Sequence, residues 1–174
     1  MTALVLGPSG SGKSAYAEAA ATRLSSAGAA YYIATMVPCG EEGRARVERH
    51  REQRKGMGFL AVEKPANVSD VAMPAGAVAL LEDVPNLLGN AMFGGGRDWS
   101  GVFADITALC EKCRAAVLVS IEGLAGQPGH DEETRGYIDA LNQLNGRLFD
   151  FADVAIAMRD GTPVFVKGDA DALD

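Results

Sequence analysis

A chain of 174 residues, 48% hydrophobic and 22% charged, suits one globular domain and is too apolar to be disordered. Its mean hydropathy of +0.03 argues against a membrane protein, and its 21 glycines show no collagen-like period. Sixteen Lys and Arg against 23 Asp and Glu give a net charge of −7, so nucleic-acid and membrane-surface binding are not expected and any phosphate site must be a local feature.

The first ten residues, MTALVLGPSG, carry no basic lead and no long apolar stretch. Neither a signal peptide nor a membrane span is expected, and the chain reads as cytoplasmic. Thr2 to Leu6 reads as a buried strand that ends in glycine. Ser14 to Leu24 carries an apolar stripe at helical spacing, closed by Ser25-Ser26-Ala27-Gly28. Ala29 to Ala34 is the next strand. Glu41 to Arg54 has helical propensity but is very polar. Phe59 to Val62 reads as a short strand and Pro65 to Ser69 as a turn. Ala77 to Leu81 is the continuous apolar run of a central parallel strand. Asn86 to Phe93 reads as a short helix, Gly94 to Gly96 as a turn and Val102 to Cys113 as an amphipathic helix. Ala115 to Ser120 is another buried strand and Glu132 to Phe151 a long helix. Val154 to Met158 and Pro163 to Lys167 flank Asp160-Gly161 as a hairpin. Strands alternating with helices predict a mostly parallel sheet with helices on both faces and an antiparallel C-terminal hairpin.

Three cysteines, Cys39, Cys110 and Cys113, suit a reducing compartment. The CxxC spacing of Cys110 and Cys113 lacks a second ligand pair, so both read as helix cysteines and not as a zinc site.

The segment Gly7-Pro8-Ser9-Gly10-Ser11-Gly12-Lys13-Ser14 matches GxxxxGK[ST] at every position. It follows a predicted strand and opens a predicted helix, which is the context the motif needs. Glycines let backbone N–H groups converge on phosphate oxygens, and the helix N-terminus adds donors and a favourable dipole. Lys13 is then placed to reach the β- and γ-phosphates and Ser14 to ligate Mg²⁺. Glu82-Asp83, ending the apolar run from Ala77, supplies a carboxylate to orient Mg²⁺ or act as base. Residues 1–174 therefore read as a single nucleotide-binding domain with a RecA-like P-loop NTPase fold.

The stretch from Glu41 to Arg54, EEGRARVERHREQR, contains little apolar surface. Glu42, Arg46, His50 and Arg54 recur every four residues and share one helix face. Two readings fit. One is a solvated helix laced with ion pairs. The other is a face on a polar cleft, where flanking arginines keep His50 neutral and hold phosphate oxygens near it. His130 lies in the loop Gly126 to Asp131 and reads as exposed or capping.

With these residues assembled, the chain resembles the bifunctional adenosylcobinamide kinase / adenosylcobinamide-phosphate guanylyltransferases of cobalamin biosynthesis. The resemblance runs from GPSGSGKS through Tyr32-Ile33-Ala34-Thr35 and the helix Arg46 to Arg54 around His50. It continues through Glu63-Lys64-Pro65, Leu80-Leu81-Glu82-Asp83 with Asn90, and Val119-Ser120-Ile121-Glu122-Gly123. Arg135, Asp139, Asn145 and Arg147 match its long helix, and Ala152, Asp153, Gly161, Pro163, Val164, Lys167 and Gly168 match its C-terminal pattern. Ile121 stands where the family has asparagine, and Gly43 interrupts its acidic lead-in.

This resemblance implies two reactions. The γ-phosphoryl of ATP or GTP moves to adenosylcobinamide. A histidine, His50 by position, then takes GMP from GTP and passes it to the corrinoid phosphate. It implies Lys13 and Glu82 as further catalytic groups and Arg51, Glu63 and Glu82 among the nucleotide contacts, with Arg46 and Arg54 as further phosphate clamps. Mg²⁺ is implied at Ser14 and Glu82, and the assembly is a homotrimer whose subunits share sites. The P-loop alone also admits a small-molecule kinase without histidine chemistry, or a nucleotide-sensing module. No NKxD-like guanine motif and no LSGGQ-like signature is present.

Overall fold

The computed structural model describes residues 1–25, 29–38, 40, 41, 43, 45, 48, 56, 58–124 and 131–173. Seven strands form one sheet: β1 (Thr2–Gly7), β2 (Ala30–Ala34), β3 (Phe59–Glu63), β4 (Val78–Glu82), β5 (Ala115–Ile121), β6 (Val154–Arg159) and β7 (Thr162–Lys167), in the order β3-β2-β4-β5-β1-β6-β7. Every pairing is parallel except the β6–β7 hairpin. The strands expected from apolar runs all form, and β1, β4 and β5 are buried along nearly their whole length because both faces of the sheet are covered.

Helix α1 (Lys13–Leu24) covers one face with the small residues Ala17 and Ala21 and with Leu24, packed on Val5, Val117 and Ile156. Helices α2 (Val84–Gly94), α3 (Trp99–Lys112) and α4 (Glu132–Phe151) cover the other, burying Leu87, Leu88, Ile106, Leu109, Leu141, Leu144 and Leu148. Each such leucine removed from water contributes about 1.5–3 kcal/mol before entropy is counted.

The helix starts differ from the sequence expectation in an informative way. α2 begins at Val84 and α3 at Trp99, two and three residues earlier than their apolar stripes suggest. Aspartate side chains set these starts: Asp83 accepts from Asn86 N (2.8 Å) and Asp98 from Gly101 N (3.0 Å). Asp131 does the same for α4 through Thr134 N at 2.8 Å. α1 alone among these four starts from a glycine with no side-chain acceptor. Gly12 sits at φ 81°, a left-handed conformation open to glycine, and the first N–H groups of the helix keep their donors free for a ligand.

The resemblance's C-terminal pattern is a structural clasp. The Asp153 carboxylate accepts from Thr2 N at 2.7 Å, fastening β6 to the start of β1. Lys167 Nζ donates to the carbonyls of Phe149 and Asp150 at the end of α4 (2.8 and 2.9 Å), where the helix dipole favours a cation. A Cβ on Gly168 would stand 2.6 Å from the Asp153 carbonyl oxygen. Cys110 is buried in α3 with its thiol pushed up to about 12 by burial, and Cys113 caps that helix half-buried, so both are the helix cysteines expected from the sequence. Among the described residues, no helix is long and apolar enough to cross a membrane.

Candidate functional site

The parallel strands all point their carboxyl ends to the same edge of the sheet, where such folds bind ligands. The phosphate loop leaves β1, between β5 and β6. Its first glycine, Gly7, is required by close approach: a Cβ there would lie 2.5 Å from Ser11 Oγ and 2.9 Å from Met158 Cβ. The turn is closed by Ser11 N donating to the Pro8 carbonyl at 3.2 Å. Lys13 Nζ donates to the same carbonyl at 3.1 Å, which holds the ammonium across the loop.

Glu82 ends β4, two strands from the loop. The register sets Glu63 and Glu82 opposite Ala34 on either side of β2, so both carboxylates stand at the same level of the sheet edge. Ser14 Oγ donates to Glu82 Oε1 at 2.7 Å. The other carboxylate oxygen, Oε2, is buried with no hydrogen-bond partner among the described residues. Burial raises the Glu82 carboxyl to about 7, against the lowering pull of the Ser14 hydrogen bond, with nearby Asp83 and Glu18 adding to the rise. A hydroxyl and a desolvated carboxylate with one free oxygen, facing a phosphate loop, form a donor set of the kind that magnesium takes with a nucleoside triphosphate.

These groups line one cleft of about 320 Å³. Ser9, Gly10, Lys13 and Ser14 form one wall and Glu63, Glu82 and Asp83 another, with Tyr32, Met36 and Pro38 beside them. Of the residues expected from sequence, the loop's lining residues, Glu63 and Glu82 are thus brought together. Gly7, Pro8, Ser11 and Gly12 build the loop without lining the cleft. His50, Arg46, Arg51 and Arg54 lie outside the described residues, as do His130 and Cys39. Gly40, Glu41, Gly43, Ala45 and Glu48 are helical, and the other residues from Glu42 to Arg54 lie outside the described residues.

Other motif positions hold the cleft's rim. Buried Thr35 is doubly paired to Asp83: its hydroxyl donates to the Asp83 carbonyl at 2.8 Å and accepts from Asp83 N at 2.9 Å. Asn90 Nδ2 donates to the carbonyls of Thr35 (2.8 Å) and Pro65 (3.0 Å). One amide on α2 therefore ties together the segments that follow β2 and β3. Asn145 plays the same part for β5, accepting from Ser120 Oγ at 2.6 Å and donating to the Ile121 carbonyl at 2.9 Å. Glu122 pairs with Arg159 beside the loop, and Arg135 and Asp139 stand exposed on α4; none of these lines the cleft. Asn90→Ala is expected to lower stability by about 1–3 kcal/mol. A fall in the urea midpoint at unchanged slope checks this, and an unchanged midpoint would show that the amide does not hold the two strand ends.

Sequence reasoning missed the Thr35–Asp83 clamp and the cleft residues Met36 and Pro38. Asp83-Val84-Pro85 was a readable helix start, an acceptor followed by proline in the first turn.

Comparison with known proteins agrees with this architecture. FlaH, a flagellar accessory protein from Methanocaldococcus jannaschii, superimposes with a TM-score of 0.55 at 11% identity, covering 97% of this chain and 78% of that one. The ATPase domain of G40P gives a TM-score of 0.57 at 10% identity, covering 96% and 76%. At such identities they establish a shared P-loop NTPase fold and nothing more. A search of curated proteins finds no match. The profile for cobinamide kinase / cobinamide phosphate guanyltransferase matches residues 3–166, a span that holds the phosphate loop, the Glu63 and Glu82 edge and nearly all of the β6–β7 hairpin. The chain belongs to the cobinamide kinase / cobinamide phosphate guanyltransferase family.

Proposed function

We propose that the chain phosphorylates the aminopropanol hydroxyl of adenosylcobinamide and then transfers GMP to that phosphate, giving adenosylcobinamide-GDP. The observation that carries the reading is the cleft itself, in which Lys13, Ser14 and Glu82 converge at the head of an uncapped helix.

In the first reaction the N–H groups of the loop and of the α1 N-terminus hold the triphosphate of ATP or GTP, and Lys13 neutralises charge at the β- and γ-phosphates. The acceptor hydroxyl oxygen forms a bond to the γ-phosphorus and its proton passes to solvent, while the bond from that phosphorus to the β-phosphate oxygen breaks and the nucleoside diphosphate leaves. Ser14 and Glu82 are the residues that would hold Mg²⁺, which when bound supplies charge neutralisation at the phosphates.

In the second reaction a neutral imidazole nitrogen of His50 attacks the α-phosphorus of GTP. The bond to the β-phosphate oxygen breaks and pyrophosphate leaves. An oxygen of the corrinoid phosphate then attacks the same phosphorus, the P–N bond breaks, and His50 returns as free imidazole. Splitting one displacement into two lets each step use a good nucleophile or leaving group. Arg46, Arg51 and Arg54 are the candidate clamps on the phosphates, and Glu63 is the candidate nucleotide contact from β3. A cytoplasmic homotrimer with shared sites completes this proposal.

Incubation with α-labelled GTP and Mg²⁺ tests it. The protein is expected to acquire label in an acid-labile, base-stable bond, and His50→Ala is expected to acquire none. An unlabelled wild-type protein would rule out the histidine transfer, and γ-phosphoryl transfer that persists in that case would leave a kinase alone.

A further inference from the structure

A second groove adjoins the triphosphate cleft and is used by none of the steps above. It has a volume of about 550 Å³ and lies between α2, α4 and the segment after β2. Pro85 and Asn86 line both spaces, so the groove and the cleft share a wall. We propose that this groove holds the corrinoid ring of the acceptor while its hydroxyl or phosphate reaches into the cleft; this rests on the corrinoid substrate proposed above.

Continuity is the first argument, since an acceptor must be held where its reacting oxygen meets the triphosphate. Charge is the second. Among the described residues, no Asp, Glu, Lys or Arg lines the groove, in contrast to the cleft with Lys13, Glu63 and Glu82. An uncharged wall suits a large ring edged with neutral amides and offers a phosphate nothing. Shape is the third. Phe93 and Val37 are 57% and 55% exposed, an apolar surface presented to water at the groove. The Phe93 ring lies 5.9 Å from the Tyr137 ring at an interplanar angle of 33°, which makes an aromatic shelf for a flat ligand. Tyr137 is itself anchored, its hydroxyl donating to the Pro85 carbonyl at 2.9 Å on the shared wall. Gly89 keeps the floor open: a Cβ there would meet the Tyr137 ring at 3.8 Å, and a longer side chain would fill the space. The amide of Asn86 gives the ring's edge a polar partner.

Equilibrium dialysis of adenosylcobinamide, read by its visible absorbance, tests the assignment on wild type, Phe93→Ala and Gly89→Leu, with GTP affinity measured in parallel. Phe93 is exposed, so its truncation spares the fold even if Gly89→Leu does not. Both variants are expected to weaken adenosylcobinamide by about tenfold or more with GTP affinity retained. Wild-type corrinoid affinity in both folded variants overturns the groove while leaving the substrate in place. Weakened GTP binding would make the groove a nucleotide-base site, and a loss of oligomer with corrinoid affinity intact would make it a subunit interface; either overturns the proposal. A wild-type protein that binds GTP but no adenosylcobinamide removes both the substrate and the groove's assignment.

Discussion

Lys13→Ala is expected to lose phosphoryl transfer and guanylylation together, each by on the order of 10²–10³-fold, whereas His50→Ala keeps the first and loses the second. The argument begins from size. Among the described residues, the seven-stranded sheet offers one phosphate loop, at a helix N-terminus that no side chain caps. Both proposed reactions need a triphosphate held while a different phosphorus is attacked, so both are expected to draw on the same loop. Lys13 contributes its charge there and little to the fold, since its one hydrogen bond among the described residues is to the Pro8 carbonyl of its own loop. Truncation should therefore leave thermal unfolding almost unchanged. Parallel assays with γ-labelled and α-labelled GTP give the result directly. Normal guanylylation in Lys13→Ala would show that GTP is held elsewhere for the second reaction, and loss of γ-transfer in His50→Ala would show that the two chemistries are not separable by residue.

How far the sequence reveals this depends on the range over which each feature is specified. β1, β4 and β5 are readable because a strand buried on both faces must be a continuous apolar run, and the phosphate loop because its backbone geometry demands glycine at fixed spacing. Glu82 is readable as the acidic end of such a run. Apolar periodicity registers the buried stripe and not the capping residue before it, so it places the helix starts at Asp83 and Asp98 too late, although Asp83 followed by Pro85 was a readable signal. Features that join distant segments were not legible at all. Thr35 meets Asp83 and Asn90 meets Thr35 and Pro65 only once β2, β3 and β4 lie side by side. The groove beside the cleft likewise needs Phe93 from α2 to meet Tyr137 from α4.

The same contrast sorts the family's motif positions. Lys13, Ser14, Glu63 and Glu82 face the cleft. Thr35, Asn90, Asn145, Asp153 and Lys167 instead hold strand and helix ends in register around it. A resemblance spread over the whole chain thus divides into a small cleft-lining set and a larger scaffold, and Ile121 shows the difference. Its departure from the family's asparagine changes a side chain at the cleft wall, while the backbone carbonyl that Asn145 grips is independent of side-chain identity.

Glu82→Gln is expected to cut kcat by on the order of 10²-fold while making the nucleotide-free protein more stable at neutral and alkaline pH. The two effects have one cause. Burial lifts the Glu82 carboxyl from 4.5 to about 7, so the folded protein holds a proton that the unfolded chain releases. Below about pH 4.5 both states are protonated and the residue costs nothing. As pH rises from there to about 7 the unfolded state ionises first, and wild-type stability falls. Above about 7 the folded carboxylate is ionised too and the full penalty, about 2–3 kcal/mol, is in place. Glutamine keeps an oxygen to accept from Ser14 and carries no titrating proton, so the variant escapes the penalty. The difference in Tm between variant and wild type should grow from near zero at pH 4.5 to roughly 5 °C or more at pH 8. A Tm difference independent of pH would mean that Glu82 is not held neutral by burial. The buried Oε2, unpartnered among the described residues, is then the reason the cost is tolerated: that oxygen is the one available to a cation arriving with the triphosphate, and a carboxylate satisfied within the protein would be more stable and less able to bind it.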